Sequence, residues 1–177
     1  MNPIPEILKH NYWVHNSNRL KYSADVLLEK LRSIKDIDAS TEILTENIRS
    51  LLEANFLLLG YSLENLLKGY SIFKFTRSQD VPPDSDYKFL SDQIWKVKNG
   101  HDIISIAKNA GLILNSDELN TFKKLERHIV WKGRYHIPKK IAEIITTTKP
   151  GRSEEYLVKD RNIVEQFISR LKEEISK

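Results

Sequence analysis

The sequence contains no cysteine, which excludes disulfides, thiolate metal sites and a cysteine nucleophile. It also lacks any apolar run near the roughly 18 residues that a membrane span requires. Residues 1–10 lack the apolar centre of a secretory signal peptide. We therefore expect a cytoplasmic protein that does not associate with a membrane.

The sequence motifs of several common enzyme classes are also missing. There is no glycine-rich phosphate-binding loop, no helical His-Glu-x-x-His motif, no calcium loop and no nucleophile elbow. The five histidines do not have the spacing of metal ligands, so we expect no metal site and no cofactor. These histidines are His10, His15, His101, His128 and His136.

The composition is that of an ordinary folded protein. Of the 177 residues, 40% are hydrophobic and 29% are charged, and a chain of this size can bury one substantial core. The sequence contains no internal repeat, low-complexity tract or linker. We therefore predict a single domain that spans residues 1–177.

Apolar residues recur at intervals of three and four along most of the chain, which is the pattern of amphipathic helices. The first helix is predicted to follow a start signal at Ser17 and Asn18, a later one is capped by Asn115 or Ser116, and the last follows Ser153. Ile141, Ile144 and Ile145 fit either a helical turn or a short strand, and the β-branched run Ile144–Thr148 is too little for a sheet. The prediction is an all-α fold, a single-domain bundle of five or six helices.

The second predicted helix is the longest. It begins at Asp38 or Ser40 and ends near Phe75, which gives a length of about 50 Å at about 1.5 Å per residue. Its middle is apolar on most sides, as expected for a buried central helix. Gly60 indicates either a kink or a close helix contact.

Positive charge is concentrated between Phe122 and Arg152. This segment has nine Lys or Arg residues and two Glu residues, a net charge of +7, so the rest of the chain carries −3. Such a distribution fits a surface that binds a polyanion. It also fits a solvated, lysine-rich surface, and both interpretations remain open.

The segment Glu126–Pro138 combines two arginines, two histidines and two aromatic rings. Guanidinium groups bind phosphate, imidazoles transfer protons near neutral pH, and aromatic rings stack on bases. These residue types suit metal-free RNA cleavage. Alternatively, Trp131 and Tyr135 are core anchors, and Arg134 and His136 interact with the negative end of a helix.

Two polar pairs lie on the long helix. Glu64 and Lys68 have the i,i+4 spacing of a surface ion pair. Asn55 and Ser62 fall on one stripe in the most apolar part, where polar side chains need partners. They are expected to fix a helix register or a dimer seam, or else to line a site.

His101 and Asp102 are adjacent, and two interpretations of this dipeptide are open. They could form an acid–base pair, or Asp102 could cap the helix that begins at Ile103. We favour the cap, because adjacent side chains diverge on a helix.

Three segments together resemble the HEPN family (higher eukaryote and prokaryote nucleotide-binding domains), in particular its uncharacterised bacterial branch. They are Leu58–Lys68, Gly100–Ile103 and Trp131–Pro138. The first is similar to the family's helix with a polar residue followed by Glu-x-x-x-Lys. The second is similar to its His-Asp helix start.

This resemblance implies a helical bundle that forms a homodimer through two long helices. It also implies an RNA-related function, that of a metal-independent endoribonuclease in a toxin–antitoxin or defence system. The expected partners are RNA and a nucleotidyltransferase-like antitoxin.

The resemblance further implies roles for individual residues. Arg134 would hold the phosphate, and His136 or His128 would act as the base, with Glu64 and Lys68 assisting across a dimer cleft. Six further residues would bind RNA: Arg127, Trp131, Lys132, Tyr135, Lys139 and Lys140.

The sequence departs from the family's arginine-to-histidine spacing. Eight residues separate Arg127 from His136 and one separates Arg134 from His136, and the family's spacing lies between these values. A non-catalytic HEPN-like module for dimerisation or ligand binding is therefore an alternative. A helical adaptor that binds a protein through an exposed apolar patch is another.

Overall fold

The computed structural model describes residues 5–34, 42–82, 84–98, 100–132 and 158–177. No strand occurs in these ranges, so the all-α prediction is confirmed. The described residues form six α-helices: α1 (His10–Ile34), α2 (Glu42–Thr76), α3 (Tyr87–Phe89), α4 (Ile103–Asn109), α5 (Ser116–Arg127) and α6 (Val158–Ile175). Wider turns of π-helix continue α3 over Leu90–Trp95 and α5 over His128–Lys132, and a short 3-10 turn, Glu6–Leu8, precedes α1.

The long helices α1 and α2 pack side by side. The prediction that α1 starts after Ser17 was wrong, because the helix begins at His10. Ser17 is buried within α1, where its hydroxyl lies 3.1 Å from that of Ser62, and the Ser62 hydroxyl donates to the Ser17 carbonyl at 2.9 Å. A residue that resembles a cap therefore joins two helices.

A second polar contact joins α1, α2 and α6. Asn55 donates to the carbonyl of Ala24 and accepts a hydrogen bond from Arg161 at 3.3 Å. Arg161, itself buried, also forms ion pairs with Asp25 and Glu165. The prediction that the polar residues of α2 fix a helix register is confirmed within this chain.

The apolar face of α2 lies at the centre of the core, as predicted for the long helix. Its buried residues pack against those of α4, α5 and α6. None of the described helices is long and apolar enough to cross a membrane. Among the described residues of α2, the fully buried apolar side chains include Phe56, Leu59, Leu63, Leu66, Leu67 and Ile72.

Local capping signals set the ends of the shorter helices. Asn115 caps α5, and Glu118 completes a reciprocal capping box. Gly111, with a φ of 79°, follows α4 in the left-handed region that favours glycine. The predicted cap Ser153 and the helix-or-strand segment 144–148 lie outside the described residues.

Gly60 allows two elements to approach closely. Helix α2 runs through Gly60 as one element, and a Cβ atom added there would lie 2.7 Å from Cγ2 of Ile129. Ile129 is fully buried in the turn that follows α5. Of the two roles expected for Gly60, this close packing explains its presence.

We predict that Gly60→Ala destabilises the protein by about 1–3 kcal/mol, because the new methyl group overpacks a filled core. Urea unfolding gives the free energy. In the double variant Gly60→Ala/Ile129→Ala the clashing Cγ2 atom is gone. The combined loss should therefore be smaller than the sum of the two single losses; additive losses would contradict the proposed contact.

Candidate functional site

The centre of the candidate site is an ion pair in the core. Lys68 Nζ lies 2.6 Å from Glu64 Oε1, and each side chain is only 5% exposed. The predicted i,i+4 ion pair is therefore confirmed, but its predicted surface location was wrong. Trp13 from α1 and Trp95 from the turn after α3 cover this part of α2.

Two indole rings surround the ammonium group of Lys68. Lys68 Nζ lies 4.9 Å from the ring centroid of Trp95 and 5.4 Å from that of Trp13, and the two rings meet edge to face at 5.0 Å. Trp95 also donates its indole N–H to the Lys68 carbonyl at 3.2 Å. Cation–π attraction and the Glu64 carboxylate together compensate for the loss of water around this charge.

His101 contacts the other oxygen of the same carboxylate. His101 Nδ1 lies 2.8 Å from Glu64 Oε2, and its side chain is 34% exposed, far more than that of Glu64. An ionised carboxylate only accepts hydrogen bonds, so Nδ1 carries the proton in this contact. Glu64 thus joins a buried cation to a partly exposed imidazole.

A glycine lets the chain pass close to this ion pair. A Cβ atom added to Gly100 would lie 3.1 Å from Tyr87 Oη and 3.3 Å from Lys68 Nζ. The next turn is fixed because the Asp102 carboxylate accepts a hydrogen bond from a backbone N–H of α4 at 2.9 Å. The prediction that Asp102 caps α4 is confirmed, and this cap holds His101 just before the helix.

Glu126 of α5 also contacts the start of α4. Its carboxylate accepts a hydrogen bond from the Ile104 N–H at 2.8 Å. Burial is the main cause that raises the pKa of Glu126 to about 7, and the nearby carboxyl group of Asp102 adds to this effect. Near neutral pH, Glu126 is therefore a titrating group between α4 and α5.

The predicted site residues occupy two places along α2. Glu64 and Lys68 contact one another, as described above. His128 is buried about two helical turns away, where its ring meets Phe56 edge to face at 4.5 Å. His128 Nδ1 lies 3.1 Å from the carbonyl oxygen of Lys124.

The predicted RNA-binding segment is described in part. Arg127 is exposed at the end of α5. Lys124 in the same helix is partly buried and pairs with Asp160 at 2.8 Å. For Trp131 and Lys132 the structure describes the backbone alone. Five further predicted site residues lie outside the described residues, and their roles stay predictions: Arg134, Tyr135, His136, Lys139 and Lys140.

The turn that leads into the third HEPN-like segment lies close to the first two segments. Ile129 packs on Gly60, and its carbonyl accepts a hydrogen bond from Tyr61 Oη at 3.4 Å. The Tyr61 ring in turn lies 5.9 Å from that of His101. The turn leading to Trp131 is therefore about one helical turn of α2 from Glu64.

Sequence reasoning missed three aromatic residues of this site: Trp13, Tyr87 and Trp95. A local signal was available for the latter two, since Asp86 accepts a hydrogen bond from a backbone N–H at 2.8 Å and caps α3. The pairing of His101 with Glu64 had no local signal, because 37 residues separate the two.

In comparisons with known proteins, no family model, curated protein or solved structure matches this chain. Within the part of the chain that the structure describes, no cluster of three or more His, Asp or Glu side chains could hold a metal ion. The site is therefore defined by its own geometry.

We predict that Lys68→Met lowers the free energy of unfolding by about 3–5 kcal/mol, because it leaves the buried Glu64 carboxylate without its ammonium partner. Lys159→Met is a matched control, since Lys159 pairs with Asp117 at 3.1 Å on the surface. That loss should stay below about 1 kcal/mol. Equal losses in urea unfolding would contradict the importance of burial.

We predict that Glu126 makes the protein less stable as pH rises. Its folded-state pKa of about 7 lies above the ordinary value of 4.5. The contribution of the protonated carboxyl group to the free energy of unfolding is therefore fully present below pH 4.5, and it is lost as pH rises through 7. The expected loss is about 1–2 kcal/mol, allowing for solvent screening of a half-buried group.

Urea unfolding of Glu126→Gln between pH 5 and pH 8 tests this pH dependence. Glutamine keeps an acceptor for the Ile104 N–H but does not titrate, so the stability of this variant should fall less steeply with pH. The exposed control Glu173→Gln should keep the parental slope. A parental slope in Glu126→Gln would assign the pH dependence to other groups.

Proposed function

We propose that this chain is an HEPN-like, RNA-related protein that cleaves RNA without a metal ion, in a toxin–antitoxin or defence system. One observation carries the proposal: Glu64 and Lys68 of the first HEPN-like segment and His101 of the second form one hydrogen-bonded group. Segments that were grouped by resemblance alone thus meet in space. Ile129, in the turn that leads into the third segment, packs beside them on Gly60.

The residue roles follow from the chemistry of phosphodiester cleavage. Arg134 holds the phosphate with its guanidinium group, and His136 or His128 transfers a proton. Glu64 and Lys68 are buried and satisfy each other's charge. We therefore assign them a supporting role beneath the site, in place of contact with RNA across a dimer cleft.

A homodimer is part of the same proposal. The HEPN resemblance implies contact through two long helices, and α1 and α2 are the longest described helices. Their outer surfaces expose apolar side chains, among them Tyr22 (71% exposed), Val26 (45%) and Leu52 (45%), of the kind that protein interfaces cover. A nucleotidyltransferase-like antitoxin is the proposed second partner.

A non-catalytic HEPN-like module for dimerisation or ligand binding is the second candidate. It is favoured by the enclosure of Lys68 between two indole rings and Glu64, which leaves this cation no role in contacting phosphate. The spacing of Arg134 and His136, with one residue between them, also favours it.

Cleavage of labelled RNA by the purified protein in the presence of a chelator tests the proposed activity. We expect cleavage by the parental protein and a loss of about 100-fold or more in Arg134→Ala and His136→Ala. Arg32→Ala and His15→Ala are matched controls, because both residues are exposed on α1, and these variants should cleave at the parental rate.

Three outcomes would decide against parts of this proposal. Intact RNA with the parental protein would remove the ribonuclease activity. If that protein still bound RNA with a steep salt dependence, the binding module would be favoured. Parental rates in Arg134→Ala and His136→Ala would remove the assignment of these two residues.

A further inference from the structure

The imidazole of His101 is the accessible end of a largely buried charged group. Its side chain is 34% exposed, compared with 5% for Glu64 and for Lys68. Within the part of the chain that the structure describes, His101 Nε2 has no hydrogen-bond partner. A nitrogen of this kind is available to a ligand, whereas the two charges behind it are not.

The partners of Glu64 determine which nitrogen of His101 is available. One carboxylate oxygen accepts from Lys68 at 2.6 Å and the other from His101 Nδ1 at 2.8 Å. Because Nδ1 donates its proton, Nε2 of the neutral ring holds the lone pair. A carboxylate that orients an imidazole and fixes its tautomer is the arrangement that prepares a histidine to act as a general base.

We propose that His101 is the proton-transfer residue of this site and that Glu64 and Lys68 are its positioning residues. The inference rests on the proposed ribonuclease function, and it assigns to His101 the base role that the HEPN resemblance gave to His136 or His128. His128 is only 8% exposed, with its ring packed on Phe56. His101 is the more accessible of these two described histidines.

The proposed step is a transesterification within RNA. His101 Nε2 takes the proton of a ribose 2′-hydroxyl, and the 2′-oxygen forms a bond to the adjacent phosphorus. The bond between phosphorus and the 5′-oxygen breaks, and a water molecule donates a proton to that oxygen. The hydroxide left behind takes the proton from His101, so the products are a 2′,3′-cyclic phosphate and a 5′-hydroxyl, without oxidation or reduction, and His101 is restored.

Two tyrosines beside His101 provide a surface suited to a nucleotide. The Tyr61 ring lies 5.9 Å from the imidazole. Tyr87 is 49% exposed, and its hydroxyl lies near Gly100, the residue before His101. Exposed aromatic rings bind bases by stacking. The nearby Asp102 carboxylate would repel phosphate, but it is engaged in capping α4.

Steady-state cleavage of labelled RNA by the full chain, in chelator, tests His101. We expect His101→Ala to lower kcat by about 100-fold or more, the usual contribution of a general base, with little change in KM. The acidic limb of the pH–rate profile should flatten, and added imidazole should restore part of the rate. Glu64→Gln should lower kcat by about tenfold or more.

Controls separate this role from a loss of fold. His15→Ala, on the exposed surface of α1, should cleave at the parental rate. Circular dichroism and thermal unfolding check that each variant is folded, and His101→Gln serves if His101→Ala is not. Glutamine retains a donor for Glu64 but cannot accept the proton at neutral pH, so it should also be inactive.

The outcomes distinguish the two levels of the proposal. A parental protein that leaves RNA intact overturns the ribonuclease function and the His101 assignment with it. Folded His101 variants that cleave at the parental rate overturn only the His101 assignment. Folded variants that lose activity, yet keep the parental pH profile and do not respond to imidazole, assign His101 a structural role and also overturn the inference.

Discussion

A carboxylate removed from water must be compensated by partners, and the compensation of Glu64 organises this part of the structure. Lys68 supplies charge from the next turn of α2, and His101 supplies a hydrogen bond from the start of α4. Lys68 is itself removed from water and depends on the rings of Trp13 and Trp95. Helix α1, the turn after α3 and the start of α4 are thus tied, directly or through Lys68, to one carboxyl group. If any of them moved away, a buried charge would lose a partner in an apolar core.

The register of α1 on α2 makes this arrangement possible. Ser17 meets Ser62, and further along the same pair of helices Asn55 meets the Ala24 carbonyl. These two polar contacts lie at different positions along the helix axes, and together they prevent one helix from sliding along the other. Apolar contacts alone would tolerate such a displacement. With this register, Trp13 lies over Lys68. Buried polar residues that do not belong to the candidate site therefore determine its geometry.

Much of the fold could be predicted from local patterns, whereas most of the site could not. The length and central position of α2 follow from its apolar spacing, and the Asn115 and Asp102 caps follow from side chains beside the backbone groups they satisfy. The burial of Glu64 depends on tryptophans that are distant in sequence, so the same i,i+4 spacing was assigned to the surface. Similarly, because His101 and Asp102 are adjacent, the sequence did not reveal that His101 contacts Glu64 whereas Asp102 caps α4.

The contact of Arg161 with Asn55 and Asp25 has a consequence for the order of events during synthesis. Helices α1 and α2 leave the ribosome long before α6. More than 100 further residues must be translated after Asn55 and after Asp25 before Arg161 is available to contact them. Until then the amide of Asn55 lacks one of its partners at the helix contact. The α1–α2 pair of the nascent chain therefore lacks part of its hydrogen-bond network. That network is completed only when α6 docks and Arg161 contacts Asn55 and Asp25.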